Sequence, residues 1–303
     1  MKMEQDIYAI TPEEEKMLRH EERMRKLKSF LRQLPADIIK LVAVVLFVFP
    51  FYWMVSTAFK TYIEAIQVPP TLFPQTFTFD NFVEINNMNI DMLMYAKNTV
   101  IITLSIIAIQ LVVMVPAAYA FARRRFPPYV QGFLFAIVLI AFMVPGQLTY
   151  ISIYLMMSKV KLLQSLWPQI LPFGANAFGI FMLRQSFKQT PEEIVESARL
   201  DSATELQIMT QIMLPMSKSA LITIAMFSFV SHWNSYFWPL VMTTNESIRP
   251  LTMAIQRLRD SGDNAIRWNV LMAGNVILVV PVLIMYVFGS KKIMNAFAYN
   301  GMK

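Results

Sequence analysis

Residues 190–218 read TPEEIVESARLDSATELQIMTQIMLPMSK, a polar stretch carrying two helix-start signals inside an otherwise apolar chain. Windows without a single Asp, Glu, Lys or Arg flank it. A helix needs roughly 20 apolar residues to cross the hydrocarbon core of a bilayer. Six windows approach or exceed that size: 41–59, 98–122, 126–158, 162–183, 219–245 and 268–290. The third is longer than one crossing requires, so its ends are the least defined. Strand-type crossings would show short alternating segments, and these windows are continuous. The predicted fold is all-α: a polytopic membrane protein with six transmembrane helices and polar helices between the fourth and the fifth.

Composition agrees. The chain has 303 residues, 56% hydrophobic and 16% charged, too apolar for an ordinary soluble domain. It has no Cys, which excludes disulfides and thiol chemistry. The first window follows a long charged segment and no small-residue cleavage site follows it, so the first helix is expected to act as its own insertion signal. The net charge of +7 is read as basic residues flanking membrane helices rather than as a nucleic-acid surface. Nineteen Lys and Arg lie in the tail through residue 40, the turns after windows two and four, and the C-terminal tail; eight lie in the other three loops. This asymmetry places both termini, and residues 190–218, in the cytoplasm.

The chain divides into a cytoplasmic N-terminal helix, residues 1–37, and a membrane domain, residues 38–303. Thr11 can cap the first helix, with Pro12 at its first position and Glu14 closing a capping box. Glu15 with Arg19, Glu21 with Arg25, and Glu22 with Lys26 are favourable i,i+4 pairs, so the segment is read as a solvated anchor. Residues 60–97 form an external loop in which Pro69, Pro70 and Pro74 enforce extended backbone. Residues 246–267 form a second, with Glu246, Arg249, Arg257, Arg259, Asp260 and Asp263 offering rim charge to a docked protein.

Within 190–218, Thr190 is the expected cap of a first helix, Pro191 its first residue and Glu193 the closing acid. Ser202 and Glu205 are expected to cap a second. Leu206, Ile208, Met209, Ile212 and Met213 follow helical spacing, and Pro215 with Ser217 end the element. Two capped helices at an angle make a knob that can fill a groove on a partner or form a plain surface hairpin; the residues alone leave both open.

The loop resembles the signature of permease subunits of ATP-binding-cassette importers, which reads Glu-Ala-Ala, three residues, Gly, nine residues, Ile, one residue, Leu-Pro. Here Glu196, Ser197 and Ala198 stand for the triplet, Ser202 for the glycine, and Ile212, Leu214 and Pro215 for the end, with the spacing intact. Two positions depart, Ser197 for Ala and Ser202 for Gly; the second carries a cost where the backbone takes positive φ. Ser56, Thr57, Phe59, Lys60, Pro69, Pro70, Pro74 and Asn81 are similar to the first span and external loop of sugar-importer permeases. Trp233, Asn234 and Trp238-Pro239-Leu240 resemble their fifth span. Residues 271–274, Pro281 and the ending Gly301-Met302-Lys303 resemble the last span and tail. The resemblance covers about residues 35 to 303, nearest the second permease of maltose-type carbohydrate importers.

It implies a subunit that pairs with a second, homologous permease, receives solute from an extracytoplasmic binding protein in a bacterial cell membrane, and is driven by a dimer of ATPase subunits that use ATP and Mg. Glu196 is the expected polar contact orienting the coupling helix. Ile194, Ala198 and Leu200 are expected to pack into the ATPase groove, and Pro215 to fix the exit into helix five. The chain supplies no nucleotide cradle: no Gly-x-x-x-x-Gly-Lys-Ser/Thr occurs, and no glycine precedes a lysine. It is expected to bind no cofactor or metal itself and not to be an enzyme.

No window holds an acid of the kind that marks ion relays in secondary transporters, which weighs against an ion-coupled carrier. His232 is read as an interfacial residue. Trp233, Asn234, Tyr236 and Trp238 suit either an interfacial belt or a solute path. Asn98 and Asn275 are expected to bond between helices. The 23 Met suit adaptable packing. The expected solute is a carbohydrate, with a glycerol-phosphate derivative as the alternative.

Overall fold

The computed structural model describes residues 12–123, 126–260 and 265–298. Two compact units are present, Met1–Ser56 and Thr57–Lys303. Among the described residues the first consists of a single helix, α1 (Pro12–Ala58), whose residues 57 and 58 belong to the second. Arg32–Ala58 is long and apolar enough to cross a membrane. Ile39, Leu41 and Phe47 along it are exposed, as lipid-facing or partner-facing residues are. Thr11 lies outside the described residues, as do the side chains of Glu15, Arg19, Glu21, Glu22 and Lys26 from the pairs expected near the start; Arg25 is exposed.

All described elements of the second unit are helical. In order they are α2 (Tyr62–Ile66), α3 (Asp80–Asn87), α4 (Met92–Arg123), α5 (Pro128–Met143), α6 (Gly146–Lys159), α7 (Trp167–Ile170) and α8 (Ala177–Lys188). There follow α9 (Glu192–Leu200), α10 (Glu205–Gln207), a π-helical turn (Ile208–Met213), α11 (Leu214–Met216), α12 (Lys218–Trp233), α13 (Phe237–Met242), α14 (Leu251–Asp260) and α15 (Trp268–Ala298). α4 packs chiefly on α8, and α12 on α15. Gly179 lets α8 approach α4: a Cβ there would lie 2.3 Å from Sδ of Met114.

Three of the six windows depart from the uninterrupted helices expected. Among the described residues, Arg32–Ala58, Met92–Arg123 and Trp268–Ser290 are single helices of spanning length. The third window bends by 96° between Tyr129–Met143 and Gly146–Lys159. Pro145 causes this, because the residue before a proline is driven from the helical region, and Val144 sits at φ −75°, ψ 119°. The fourth window breaks into α7, a 3-10 turn (Leu171–Phe173) and α8, at Pro168, Pro172 and Gly174. The fifth is entered through an 80° bend just before it, where Glu205–Met216 meets Lys218–Trp233, and is itself broken at Asn234, ahead of α13.

The loop 60–97 is folded rather than merely extended. Lys60 is buried and donates to the carbonyl of Thr71. Glu64 accepts from the Thr71 hydroxyl and the Gln75 N–H, both at 2.8 Å. The Asn81 amide donates to the carbonyls of Ala58 and Lys60, each at 2.8 Å, and Asn269 at the start of α15 donates to Asn81 at 2.6 Å. Phe59 stacks on Phe77 with centroids 4.6 Å apart. The resemblance residues Phe59, Lys60 and Asn81 thus form the centre of a clasp. Residues 246–260, read as a mixed-charge loop, contain α14, which buries Leu251, Met253, Ala254 and Leu258. Their spacing is helical, and the charges occupy the other face.

Candidate functional site

The knob hangs from the end of α4. Val195 on α9 and Ile208 and Met213 on the π-helical turn are fully buried against Tyr119, Leu183 and Phe187. Each such burial contributes about 1.5–3 kcal/mol. The π-helical turn explains why regular spacing misreads this face. It brings residues five apart to one side, so Ile208 and Met213 point inward together while Leu206 is 65% exposed. Ile212 and Leu214 are half-buried, and Pro215 is exposed in the first turn of α11.

Neither expected cap is in place. α9 begins after Pro191, with no side-chain cap, and the buried Thr190 offers its carbonyl to Arg123 instead. The second helix is capped two residues later than expected. Thr204 accepts from the Gln207 N–H at 3.3 Å and Gln207 accepts from the Thr204 N–H at 2.8 Å, a complete capping box. Ser202 cannot serve there because it closes the preceding helix with φ 62°. Its N–H donates to Arg199 and that of Ala203 to Ala198, both at 3.0 Å, the Schellman arrangement that favours glycine at this position. Glu205 is engaged elsewhere.

A polar network fastens the knob to α4, and sequence reasoning missed it. The Arg123 guanidinium, with a 5% exposed side chain, pairs with Glu192 and donates to the carbonyls of Phe187 and Thr190. Arg199 lies 3.8 Å from Glu192 and donates to Glu205 at 3.2 Å. The Tyr119 hydroxyl donates to Glu205 at 2.6 Å. The hydrogen bond to Glu205 raises the Arg199 pKa further against some burial. The available signal was an arginine immediately after an apolar window and a run of acids in the polar stretch 190–218.

Outward from this network, the knob presents Ile194, Glu196, Ser197 and Leu200, all exposed, with Leu200 86% exposed. Ala198 is half-buried against the knob's own core rather than outward-facing.

At the other end of α4, Asn98 donates to the carbonyls of Ser247 and Arg249 at 2.8 and 3.0 Å. It therefore holds a loop rather than a neighbouring helix. Asn275 bonds the Leu271 carbonyl of its own helix, and among the described residues it makes no interhelical bond. Glu246 accepts from Tyr95 at 2.9 Å and pairs with Arg257; Asp263 lies outside the described residues. Of the four aromatic-cluster residues, Trp233 is buried, donates to Leu278 at 2.9 Å and stacks on Phe229. Trp238 is buried and donates to Pro168 at 2.9 Å. Asn234 and Tyr236 are exposed.

The described residues are helical, with apolar helices of spanning length and a polar knob, the architecture of a membrane-embedded subunit. Within that class the chain belongs to the family described as the binding-protein-dependent transport system inner membrane component, which residues 114–291 match. It is 31% identical over 274 residues to a diacetylchitobiose uptake system permease protein of Streptomyces coelicolor, covering 86% of this chain and 95% of that one. It is 27% identical to an sn-glycerol-3-phosphate transport system permease protein of Pectobacterium atrosepticum, over 82% of this chain and 90% of the other. A crystal structure of a bacterial ABC transporter involved in the import of the acidic polysaccharide alginate shares the fold, with TM-score 0.76, 24% identity, and 87% of this chain and 97% of that chain covered.

Proposed function

We propose that this chain is the transmembrane subunit of an ATP-driven importer for carbohydrate, and that the knob in residues 190–218 docks into a separate ATPase subunit. The observation that carries the reading is Leu200: a large apolar side chain 86% exposed on a helix whose other face is fixed by Val195. Leu200 and Ile194 are the apolar anchors of the docked face, Glu196 and Ser197 its polar contacts. Ser202 sets the angle between the knob helices, and Ile212, Leu214 and Pro215 pass the chain into α12.

Counting each bent pair as one crossing, and the broken segment 162–188 as another, gives six crossings. The basic asymmetry then puts the knob and both termini on the ATPase side. The partners are a second homologous permease, a pair of ATPase subunits binding ATP and Mg, an extracytoplasmic binding protein and membrane lipid. Carbohydrate follows from the diacetylchitobiose relative, supported by the flanking residues shared with sugar permeases. Exposed Asn234 and Tyr236 are the members of the aromatic cluster free to meet solute; Trp233 and Trp238 set the wall behind them.

The test is an assembled complex in proteoliposomes. Leu200→Asp should release the ATPase subunits while the permease pair stays folded; retention with normal hydrolysis refutes the docking role. Uptake of labelled diacetylchitobiose, and none of glycerol 3-phosphate, is the expected solute result; the reverse result assigns the alternative solute.

A further inference from the structure

The knob can act on the spans by two routes. One follows the chain, through the π-helical turn Ile208–Met213 and the 80° bend ahead of α12. A π-helical turn and a sharp bend replace part of the regular hydrogen-bond ladder, so this route is compliant. The other runs sideways through side chains. Tyr119 and Arg123 are one turn apart on the same face of α4. Arg123 grips Glu192 of α9, and Tyr119 grips Glu205 of α10. Arg199 bridges the two acids. A guanidinium is a planar, pre-organised fork, and that of Arg123 also holds the Phe187 carbonyl in the last turn of α8 and the Thr190 carbonyl just after it.

We infer that this network is the stiff joint through which the knob drives α4, with Arg123, Glu192, Arg199, Glu205 and Tyr119 as positioning residues for energy coupling. The inference rests on the docking role given to the knob above. The network holds both knob helices at once, so the last turn of α4 follows any rotation of the knob. The second span is therefore the first to be displaced when the ATPase subunits close, and α12 follows through its flexible connection.

The experiment uses the complete complex with its binding protein as isolated, and reads ATPase retention, basal ATP hydrolysis and stimulation of hydrolysis by the loaded binding protein. Arg123→Gln should keep the ATPase subunits bound and hydrolysing but lower stimulation at least tenfold. Arg123→Lys should recover only part, because an ammonium cannot reproduce the fork. The Arg123→Gln, Glu192→Gln pair should be no worse than either single change, as expected of groups acting together. Tyr119→Phe removes one hydroxyl and should lower stimulation two- to fivefold even if Arg123→Gln fails to assemble. Normal stimulation in Arg123→Gln or in Tyr119→Phe overturns the inference, as does additive loss in the pair. If Leu200→Asp releases the ATPase while these variants couple normally, only the joint is wrong; if Leu200→Asp changes nothing, the docking role itself fails.

Discussion

The backbone N–H of Ala203 reaches the carbonyl of Ala198 at 3.0 Å, and the residue enclosed by that bond, Ser202, takes φ 62°. A serine thus occupies a left-handed position where the permease signature that this loop resembles has glycine. A non-glycine residue in that region costs about 1–2 kcal/mol. Ser202→Gly should therefore stabilise the knob by up to about 1 kcal/mol and preserve coupling, while Ser202→Val should destabilise it. Protease protection of residues 190–218 in the purified complex measures both; a less protected Ser202→Gly protein would contradict the assigned backbone.

The π-helical turn makes opposite predictions for neighbouring apolar residues. Ile208 is fully buried and Leu206 is exposed. Ile208→Ala should cost about 2–5 kcal/mol, and Leu206→Ala no more than about 0.5 kcal/mol. Thermal unfolding in detergent distinguishes them, and equal effects would contradict the burial of Ile208 and the exposure of Leu206.

Acidification should open the clasp around Lys60 and Glu64 late. Burial opposes the Glu64 carboxylate, but the N–H groups of Gln75 and Thr76, the Thr71 hydroxyl and nearby Lys60 outweigh it and hold the carboxyl below its ordinary value. A depressed folded-state pKa gives stability that is present above the unfolded value and lost as pH falls through the folded one. Hydrogen exchange of residues 60–79 should stay constant from pH 7 to about 5 and accelerate, after correction for intrinsic rates, only below the usual carboxyl value of about 4.3. In Glu64→Gln the clasp should be loose at every pH.

Asn98 provides the corresponding test at the other end of α4. Its removal leaves the carbonyls of Ser247 and Arg249 without their donor, and a lost hydrogen bond of this partly buried kind costs about 0.5–1.5 kcal/mol. Asn98→Ala should destabilise by that amount and raise proteolysis within residues 245–250, while ATPase attachment at the distant knob is unchanged.

Much of this architecture is local and could be read from the chain. The absence of charge over 41–59, 98–122 and 268–290 fixes three apolar helices, because an unbroken apolar run has no other way to satisfy its backbone in a bilayer. Pro145 was visible within the overlong third window, but a proline reports a break without reporting an angle of 96°. The two knob helices were legible from their caps and acids. Their true starts were not, because Thr190, Ser202 and Thr204 are all competent caps and the competition is decided by what surrounds them.

Sequence alone determined the number and place of the apolar windows, the polar knob between the fourth and fifth, and the basic bias toward one side. These depend on hydrophobicity and capping, which act within a few residues. Tertiary structure decided that Arg123 meets Glu192 across 69 positions and Tyr119 meets Glu205 across 86. It also turned Trp233 and Trp238 inward, and it gave Ser202 the backbone that shapes the knob. Such contacts are set by how α4, α8 and the knob pack together, and no local pattern specifies which acid a buried arginine will find.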